Sequence, residues 1–347
     1  METLWFVLVA FLLTTYVVLD GFDLGAGAIH FLVGKTEPER RLTFQAIGPV
    51  WDGNEVWLVV AGGTLFLAFP RLYAASFSGF SLRLTIVLWL VILRGVGVEG
   101  RSHHVSPVRR GFFDFVFSAA SVLLAVVFGV ALGNVIRGVP LNADGYFFEP
   151  LWTDLRTTGR VGVLDWHTVL TGVMALLVLS MHGALWMAMK TEGEVHARAR
   201  TLALRLWGLV VVLTAVSLSA TISVRPQVLD NARVYYWGWV IPIVVVVSLL
   251  ALFVYSGKGN DLRAFLASSV YLIAMLAGAA FALYPYVLPS STDPSFGLTI
   301  ANTAASAYGL RVDLVWWTIG IILALGYVTF VYRHFAGKVA LEGEEHS

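Results

Sequence analysis

Long apolar blocks separated by short polar stretches run along the whole chain. Crossing a ~30 Å hydrocarbon core takes roughly 20 helical residues, and most of the blocks reach this length. Because lipid offers no partners to backbone N–H and C=O groups, such blocks must be helices. The pattern predicts nine transmembrane helices, at residues 4–32, 52–69, 74–97, 112–134, 164–188, 203–223, 235–255, 262–288 and 311–334.

The composition supports the same fold class. Hydrophobic residues make up 58% of the 347 residues and charged residues 13%, whereas about a quarter of an ordinary soluble domain is charged. We therefore expect an all-α polytopic membrane protein, with residues 1–347 forming a single integral-membrane domain. The chain has no cysteine, which excludes disulfides, cysteine-ligated iron–sulfur clusters and covalent c-type haem. Its net charge of +1 suggests no nucleic-acid partner.

The distribution of basic residues predicts the orientation. Cytoplasmic loops of membrane proteins are enriched in Lys and Arg. Fifteen basic residues fall on the side of the loops after helices 1, 3 and 5, seven fall on the other side, and Arg83 lies inside a span. The N-terminus is therefore expected outside and the C-terminus in the cytoplasm.

Several carboxylates lie within or beside the predicted spans, where charge is costly and indicates function. Asp20 and Asp23 are three residues apart and share a face of helix 1. The helix directions place these residues in the inner half of the membrane, together with charged residues of helices 2, 3 and 4: Asp52, Glu55, Arg94, Glu99 and Asp114. The sequence thus predicts a polar cluster at one depth, suited to relaying protons from the cytoplasm with Asn54 as a bridge.

Simpler roles compete with this hypothesis. Asp52 and Glu55 have the spacing of an N-terminal capping box. Asp20 or Asp23 is also a suitable partner for Arg94, because a buried charge needs one. The small residues Gly21 and Gly25 favour close helix packing.

A haem site within the chain is a further alternative. His167 and His182 are fifteen apart on helix 5, which resembles the spacing of two stacked haems, but a matching pair on a second helix is missing. His30, His103 and His104 lie at inner ends. His182 alone would need an unusual second ligand such as Met174 or Met187, and a hydrogen-bonded buried histidine is the alternative.

Several motifs are similar to those of subunit II of cytochrome bd-type ubiquinol oxidases, a family that includes cyanide-insensitive members. They are DGFDLGAG at 20–27, WDGNEVW at 51–57, YAASFSGF at 73–80, the stretch 94–101 and GNVIRGVP at 133–140. The first 140 residues carry nearly all of this signal, and the nine-helix layout extends the resemblance over essentially the whole chain.

The resemblance implies a subunit of a bacterial inner-membrane terminal oxidase that oxidises quinol and reduces O2 to water. It implies two four-helix bundles plus one extra helix, corresponding to residues 1–134 with the acidic cluster, 164–288, and 311–334. The partner would be subunit I, in a heterodimer, and subunit I would hold the quinol site, two b-type haems and one d-type haem. Small single-helix accessory subunits, membrane lipid and a structural quinone bound to this subunit also fit the family.

The resemblance further implies roles for individual residues. Asp52 matches a position proposed to line a proton path toward the haems, and Trp57 matches the mouth of a proposed oxygen channel. Asp20 matches an acidic position of helix 1, with Arg94 as its charge partner. Glu99 stands where relatives carry an aspartate, so the carboxylate is kept but its reach differs. We expect Asp20, Asp23, Asp52, Glu55 and Glu99 to form the proton path.

Two other functions remain as alternatives. A proton-coupled secondary transporter also needs buried carboxylates, but such carriers often have matching broken helices in both halves. Here the acids lie in the first half of the chain. A purely structural scaffold for subunit I is the second alternative.

Overall fold

The computed structural model describes residues 1–102 and 106–339, and nearly all of its regular structure is helical. His103 and His104 lie outside the described residues. The helices in chain order are α1 (Glu2–Ala28), α2 (His30–Val33), α3 (Glu37–Ile47), α4 (Trp51–Ala68), α5 (Pro70–Gly79), α6 (Ser81–Ser102), α7 (Pro107–Arg137), α8 (Trp166–Lys190), α9 (Gly193–Val224), α10 (Asp230–Val234), α11 (Val240–Gly257), α12 (Asp261–Leu283), α13 (Ile300–Thr303) and α14 (Ala307–His334).

Eight helices of the described chain are long and apolar enough to cross a membrane: α1, α6, α7, α8, α9, α11 with its preceding 3-10 turn, α12 and α14. The remaining predicted span corresponds to α4, which is 18 residues long. Its first turns contain the polar residues Asp52, Asn54 and Glu55, which lower the hydropathy of this short helix. The broad fold class, a mostly helical polytopic membrane protein, is confirmed. The count of nine spans, the two-bundle division and the orientation remain predictions. The end predicted to face the cytoplasm is called the inner end below.

Several predicted helices are wrong in their extent. The helix predicted at 4–32 is interrupted at Ile29, between α1 and α2, and the helix predicted at 203–223 begins at Gly193, because the polar turns before the apolar block are also helical.

Two more of the predicted helices break or end early. The segment 74–97 is divided between α5 and α6, and Phe80 lies at the break. Gly79, beside the break, packs so closely under Phe147 that an added Cβ would lie 2.3 Å from the ring. The segment 262–288 stops being helical at Leu283, because Pro285 has no N–H and cannot continue a helix.

The fold is also not purely helical, since short strands stabilise the loops at the outer end. Strand β1 (Trp152–Leu155) pairs in parallel with β2 (Leu164–Asp165), and β3 (Tyr286–Leu288) pairs antiparallel with β4 (Leu298–Thr299). Val139 joins the two loop regions, because its N–H donates to Pro289 and its carbonyl accepts from Ser291. These bonds satisfy backbone groups that the connecting segments would otherwise leave unpaired.

Helix α8 lies at the centre of the molecule and packs against α1, α7, α9 and α12. Its approach to α1 is very close. A Cβ added to Gly25 would lie 1.9 Å from the carbonyl oxygen of Leu179, and one added to Gly183 would lie 2.3 Å from the backbone nitrogen of Ala26. The glycines therefore allow two backbones to touch, as small residues do between membrane helices. The packing role expected for Gly25 is confirmed.

Helix α14 has few contacts with the rest of the chain. Leu310 is its one buried residue. It meets α4 through Tyr332, which bonds to Asn54, and it meets α1 through Leu310 and Trp317, which both contact Trp5. Most of the apolar surface of α14 is therefore open to lipid or to another subunit.

Candidate functional site

A fully buried ion pair joins α1 to α6. Asp20 and Arg94 are both at most 1% exposed. Two nitrogens of the Arg94 guanidinium donate to the two carboxylate oxygens of Asp20, at 2.7 and 2.5 Å. This two-pronged geometry is the strongest arrangement for an arginine and a carboxylate. Arg94, which the sequence suggested as a charge partner, thus lies against Asp20.

Asp23 lies one turn further along α1 and is held by an amide instead of a cation. The Asn54 side-chain nitrogen donates to one oxygen of Asp23 at 2.8 Å and also contacts the Leu19 carbonyl at 3.2 Å. The Tyr332 hydroxyl donates to the Asn54 side-chain oxygen at 2.9 Å. A hydrogen-bonded series from α14 through α4 to α1 therefore ends on Asp23, whose other oxygen, Oδ1, is buried without a hydrogen-bond partner among the described residues.

Glu55 completes a group that we call the inner acid cluster: Asp20, Asp23, Asn54, Glu55 and Arg94. Glu55 is half-buried and close enough to Arg94 and Asp20 for electrostatic interaction. Its Oε1 atom is buried and has no hydrogen-bond partner in the described chain. The cluster holds three carboxyl groups and one guanidinium, so it contains more acid groups than its cation can balance.

Asp52 and Glu99 lie outside this cluster, and both side chains are exposed to solvent in the isolated chain. The proposed capping box is wrong: α4 begins at Trp51 with Val50 as its N-cap, and no side chain makes a capping bond. Asp52 is instead one turn before Glu55, close enough for the two carboxylates to interact. The structure therefore brings together three of the five predicted proton-path acids and leaves two on the surface.

Trp57 is buried in a small apolar cluster and is only 4% exposed. It packs with Leu12, Tyr16 and Ala61, between α1 and α4. The oxygen-channel role of Trp57 stays a prediction.

Asp114 belongs to a second charged group nearer the inner end. Arg101 donates to Asp114, and the Nε2 atom of His30 lies 3.4 Å from the same carboxylate oxygen. Arg40 is 3.9 Å from the other oxygen. The single cluster predicted from helix directions is thus divided into two, because the part of α1 after Asp23 carries no charged residue and packs against Ser121 and Phe117 of α7.

A third buried charged group, at the outer end, was missed by sequence reasoning. Arg137 at the end of α7 donates to Glu149 and Asp165, and also to the side-chain oxygen of Asn134. Asp165 caps α8 by accepting from the N–H groups of His167 and Thr168 at 2.8 and 2.9 Å. An aspartate three residues before a threonine at the start of an apolar block was the available signal for the cap. No sequence pattern indicated that the Arg137 side chain would bond to residues of the connection between α7 and α8.

The histidine geometry supports the hydrogen-bonded alternative for His182. Its Nδ1 atom lies 2.7 Å from the Ser268 hydroxyl and its Nε2 atom lies 3.0 Å from the Val18 carbonyl. The ring is stacked on Phe265. Both nitrogens are thus engaged, and neither is available to ligate haem iron. Within residues 1–102 and 106–339, no group of three or more metal-ligating side chains is close enough to hold a metal ion.

Comparison with known proteins identifies the family. The family model described as cytochrome bd terminal oxidase subunit II matches residues 1–335. Cytochrome bd-I ubiquinol oxidase subunit 2 of Escherichia coli strain K12 is 32% identical, over 99% of this chain and 96% of its own. A probable cytochrome oxidase subunit 2 of Haemophilus influenzae is also 32% identical, over 97% of this chain and 94% of its own.

Two further comparisons agree. Cytochrome bd ubiquinol oxidase subunit 2 of Bacillus subtilis strain 168 is 31% identical, over 90% of this chain and 89% of its own. The solved structure of the bd oxidase from Geobacillus thermodenitrificans matches with a TM-score of 0.76 at 18% identity, covering 96% of this chain and 98% of that one. That structural similarity shows the fold, while the family model and the sequence relatives show the family membership. The chain belongs to the cytochrome bd terminal oxidase subunit II family.

Proposed function

We propose that this chain is the non-haem subunit of a quinol:O2 oxidoreductase and that its inner acid cluster carries protons toward the partner, subunit I. Family membership supports the oxidase assignment, and the E. coli and B. subtilis relatives are named as ubiquinol oxidase subunits. In such a complex the two b-type haems and the d-type haem of subunit I would supply electron transfer and dioxygen reduction. Dioxygen reduction consumes protons, so the complex needs a route that delivers them.

One observation carries the proton-path proposal: Asp23 is buried, bonds to no cation, and has a carboxylate oxygen without a hydrogen-bond partner in the described chain. A carboxyl group tied up in a two-pronged ion pair, as Asp20 is, would be poorly suited to proton exchange. Within residues 1–102 and 106–339, Asp23 instead bonds to the neutral amide of Asn54 alone. It can therefore bind or lose a proton without breaking a buried ion pair.

Asp52 and Glu55 would form the entrance to this path. They are three residues apart near the inner end of α4 and share a helix face. Asp52 is exposed, whereas Glu55 has a buried oxygen and interacts with Asp20 and Arg94. Asp52 would thus connect the surface of the chain to Glu55 and the rest of the inner acid cluster. Because an exposed carboxylate is costly in lipid, subunit I or water at the subunit boundary is the expected environment of Asp52.

Arg94 and Asp20 would hold the cluster in place. Their ion pair joins α6 to α1 beside Asp23 and fixes one positive charge in the cluster. That charge would lower the cost of a second negative charge on Asp23 or Glu55 while a proton is in transit. We assign both residues a positioning role.

The experiment replaces Asp52 by Asn in the complex purified with its membrane partner. The proposal expects haem bands of normal height in the reduced-minus-oxidised spectrum, and oxygen consumption slowed about tenfold or more, by analogy with positioned proton-transfer groups. Glu194→Gln is the matched control, because Glu194 is an exposed acid at the inner start of α9, away from the cluster. Its turnover should equal that of the wild type.

Three other outcomes would contradict parts of the proposal. A copurified complex without d- or b-type bands would remove the oxidase assignment. Unchanged turnover of Asp52→Asn would remove Asp52 from the path. Loss of haem together with activity would instead favour the purely structural scaffold.

A further inference from the structure

A surface groove of about 440 Å³ lies at the inner end of the chain, between the α2–α3 connection and α9. Its lining combines basic side chains with apolar ones, including Leu32, Lys35, Arg198, Thr201, Leu202 and Arg205. None of these residues belongs to the inner acid cluster. The groove therefore needs an explanation of its own.

The groove is positively charged. Arg198, Thr201 and Arg205 occur at intervals of three and four residues along α9 and so share one face, with Lys35 across the groove. Arg198 is already bonded to the Glu39 carboxylate. Partial burial acts to raise the pKa of Glu39. Hydrogen bonds from the backbone N–H groups of Thr36 and Lys35 and from the Arg198 guanidinium outweigh this effect, and they lower that pKa to about 2. Glu39 thus stays charged at physiological pH and keeps Arg198 occupied.

Lys35 and Arg205 retain donors for a ligand. Among the residues that the structure describes, the Lys35 ammonium makes one bond, to the Phe31 carbonyl at 3.1 Å, which leaves two of its three N–H groups. The Arg205 side chain is exposed and bonds to no carboxylate or carbonyl within the described parts of the chain. Two cations with open donors thus face each other across one groove.

The face of α9 that carries these cations continues into an apolar surface. Leu209 and Val212 follow Arg205 on the same face and are 53% and 60% exposed. Helix α9 has 32 residues, or about 48 Å at 1.5 Å per residue, which exceeds the ~30 Å hydrocarbon core. The helix is therefore long enough to extend past the core, and the change from basic to apolar residues along it marks the expected boundary between headgroups and acyl chains.

We propose that this groove binds the phosphate of an anionic membrane phospholipid, with Lys35 and Arg205 as donors and the acyl chains lying along Leu209 and Val212. A guanidinium matches phosphate geometry with paired N–H donors. Basic pockets between membrane helices on the cytoplasmic side are typical sites for anionic headgroups. The exposed Leu32 side chain, on the opposite wall, gives the lipid a second apolar contact.

The test uses the intact, delipidated oxidase complex and native mass spectrometry to count bound lipids during titration. The probes are phosphatidylglycerol, phosphatidylcholine and excess inorganic phosphate. The variants are Lys35→Gln with Arg205→Gln, Arg205→Gln alone, and Lys258→Gln as the control. Lys258 is an exposed basic residue at the same end of the chain that does not line the groove.

The proposal expects the double variant to bind phosphatidylglycerol about tenfold or more weakly, since each basic residue near the surface contributes on the order of 1 kcal/mol. Arg205→Gln alone should lose less, Lys258→Gln nothing, and phosphatidylcholine binding should not change. Equal affinity in the double variant and the wild type would overturn the proposal, as would an equal loss in Lys258→Gln. Displacement of phosphatidylglycerol by inorganic phosphate would show that the groove binds a free anion, and it would overturn the assignment of the groove to a lipid.

Discussion

At the residue scale, the Asp20–Arg94 pair is the most constrained feature of the protein. Both side chains are buried, so each charge depends on the other for compensation. Losing one member of a buried pair leaves the other uncompensated, which costs more than losing the pair as a whole. The pair should therefore behave as a unit in mutagenesis.

We predict that Arg94→Gln destabilises the complex by about 3–5 kcal/mol, because it strands the Asp20 carboxylate. Combining it with Asp20→Asn should recover part of that loss. Thermal unfolding of the purified complexes measures both effects. Arg333→Gln is the control, since Arg333 is an exposed arginine at the inner end of α14. Unfolding of Arg94→Gln at the wild-type temperature would show that the pair does not stabilise the fold.

The residues of the cluster were predictable to different degrees. Spacing on α1 and the directions of the first helices indicated that Asp20, Asp23 and Arg94 would lie at similar depth, and Asp20 and Arg94 form an ion pair. Tyr332 could not be predicted, because it is 278 residues from Asn54 and helical periodicity does not say which distant helix is a neighbour. The exposure of Asp52 was missed for the same reason: periodicity gives a face but not what covers it.

At the element scale, the contact between α1 and α8 determines how the two halves of the chain meet. The apolar pattern correctly indicated both helices, and the Gly21 and Gly25 spacing indicated a close approach. The partner Gly183 was not identified, because a glycine in an apolar block looks the same whether or not another helix touches it. The failures at 74–97 and 262–288 have a local origin: breaks at Phe80 and before Pro285 interrupt segments whose composition is otherwise continuous.

We predict that Gly25→Ala disrupts this contact and Gly62→Ala does not. The added methyl at Gly25 would meet the Leu179 backbone, whereas a Cβ at Gly62 has nothing within 4 Å. Overpacking of this kind costs about 1–3 kcal/mol or more. The yield and unfolding temperature of the assembled complex provide the measurement. If the two variants behaved alike, the close approach of α1 and α8 would not be important for stability.

At the scale of the whole molecule, buried polar groups and open apolar surface are unevenly distributed. The inner acid cluster lies where α1, α4 and α6 meet, and Tyr332 of α14 reaches it from the side. Helix α14 itself is almost wholly exposed. The side chain of Asp52, three residues before Glu55 of the cluster, is exposed as well. This distribution agrees with the proposed role, because Asp52 and most of α14 lie at surfaces that the chain itself leaves uncovered, where a partner subunit would have access to them.

The most direct test of this account is the rate of proton uptake by the intact oxidase carrying Asp23→Asn, followed with a pH-sensitive dye as the reduced complex reacts with O2. An asparagine at this position still offers an oxygen to Asn54, so the fold and the haem spectrum should be preserved while the exchangeable proton is lost. We predict uptake slowed about tenfold or more relative to the wild type. Uptake at the wild-type rate, with normal haem content, would contradict the claim that the inner acid cluster carries protons.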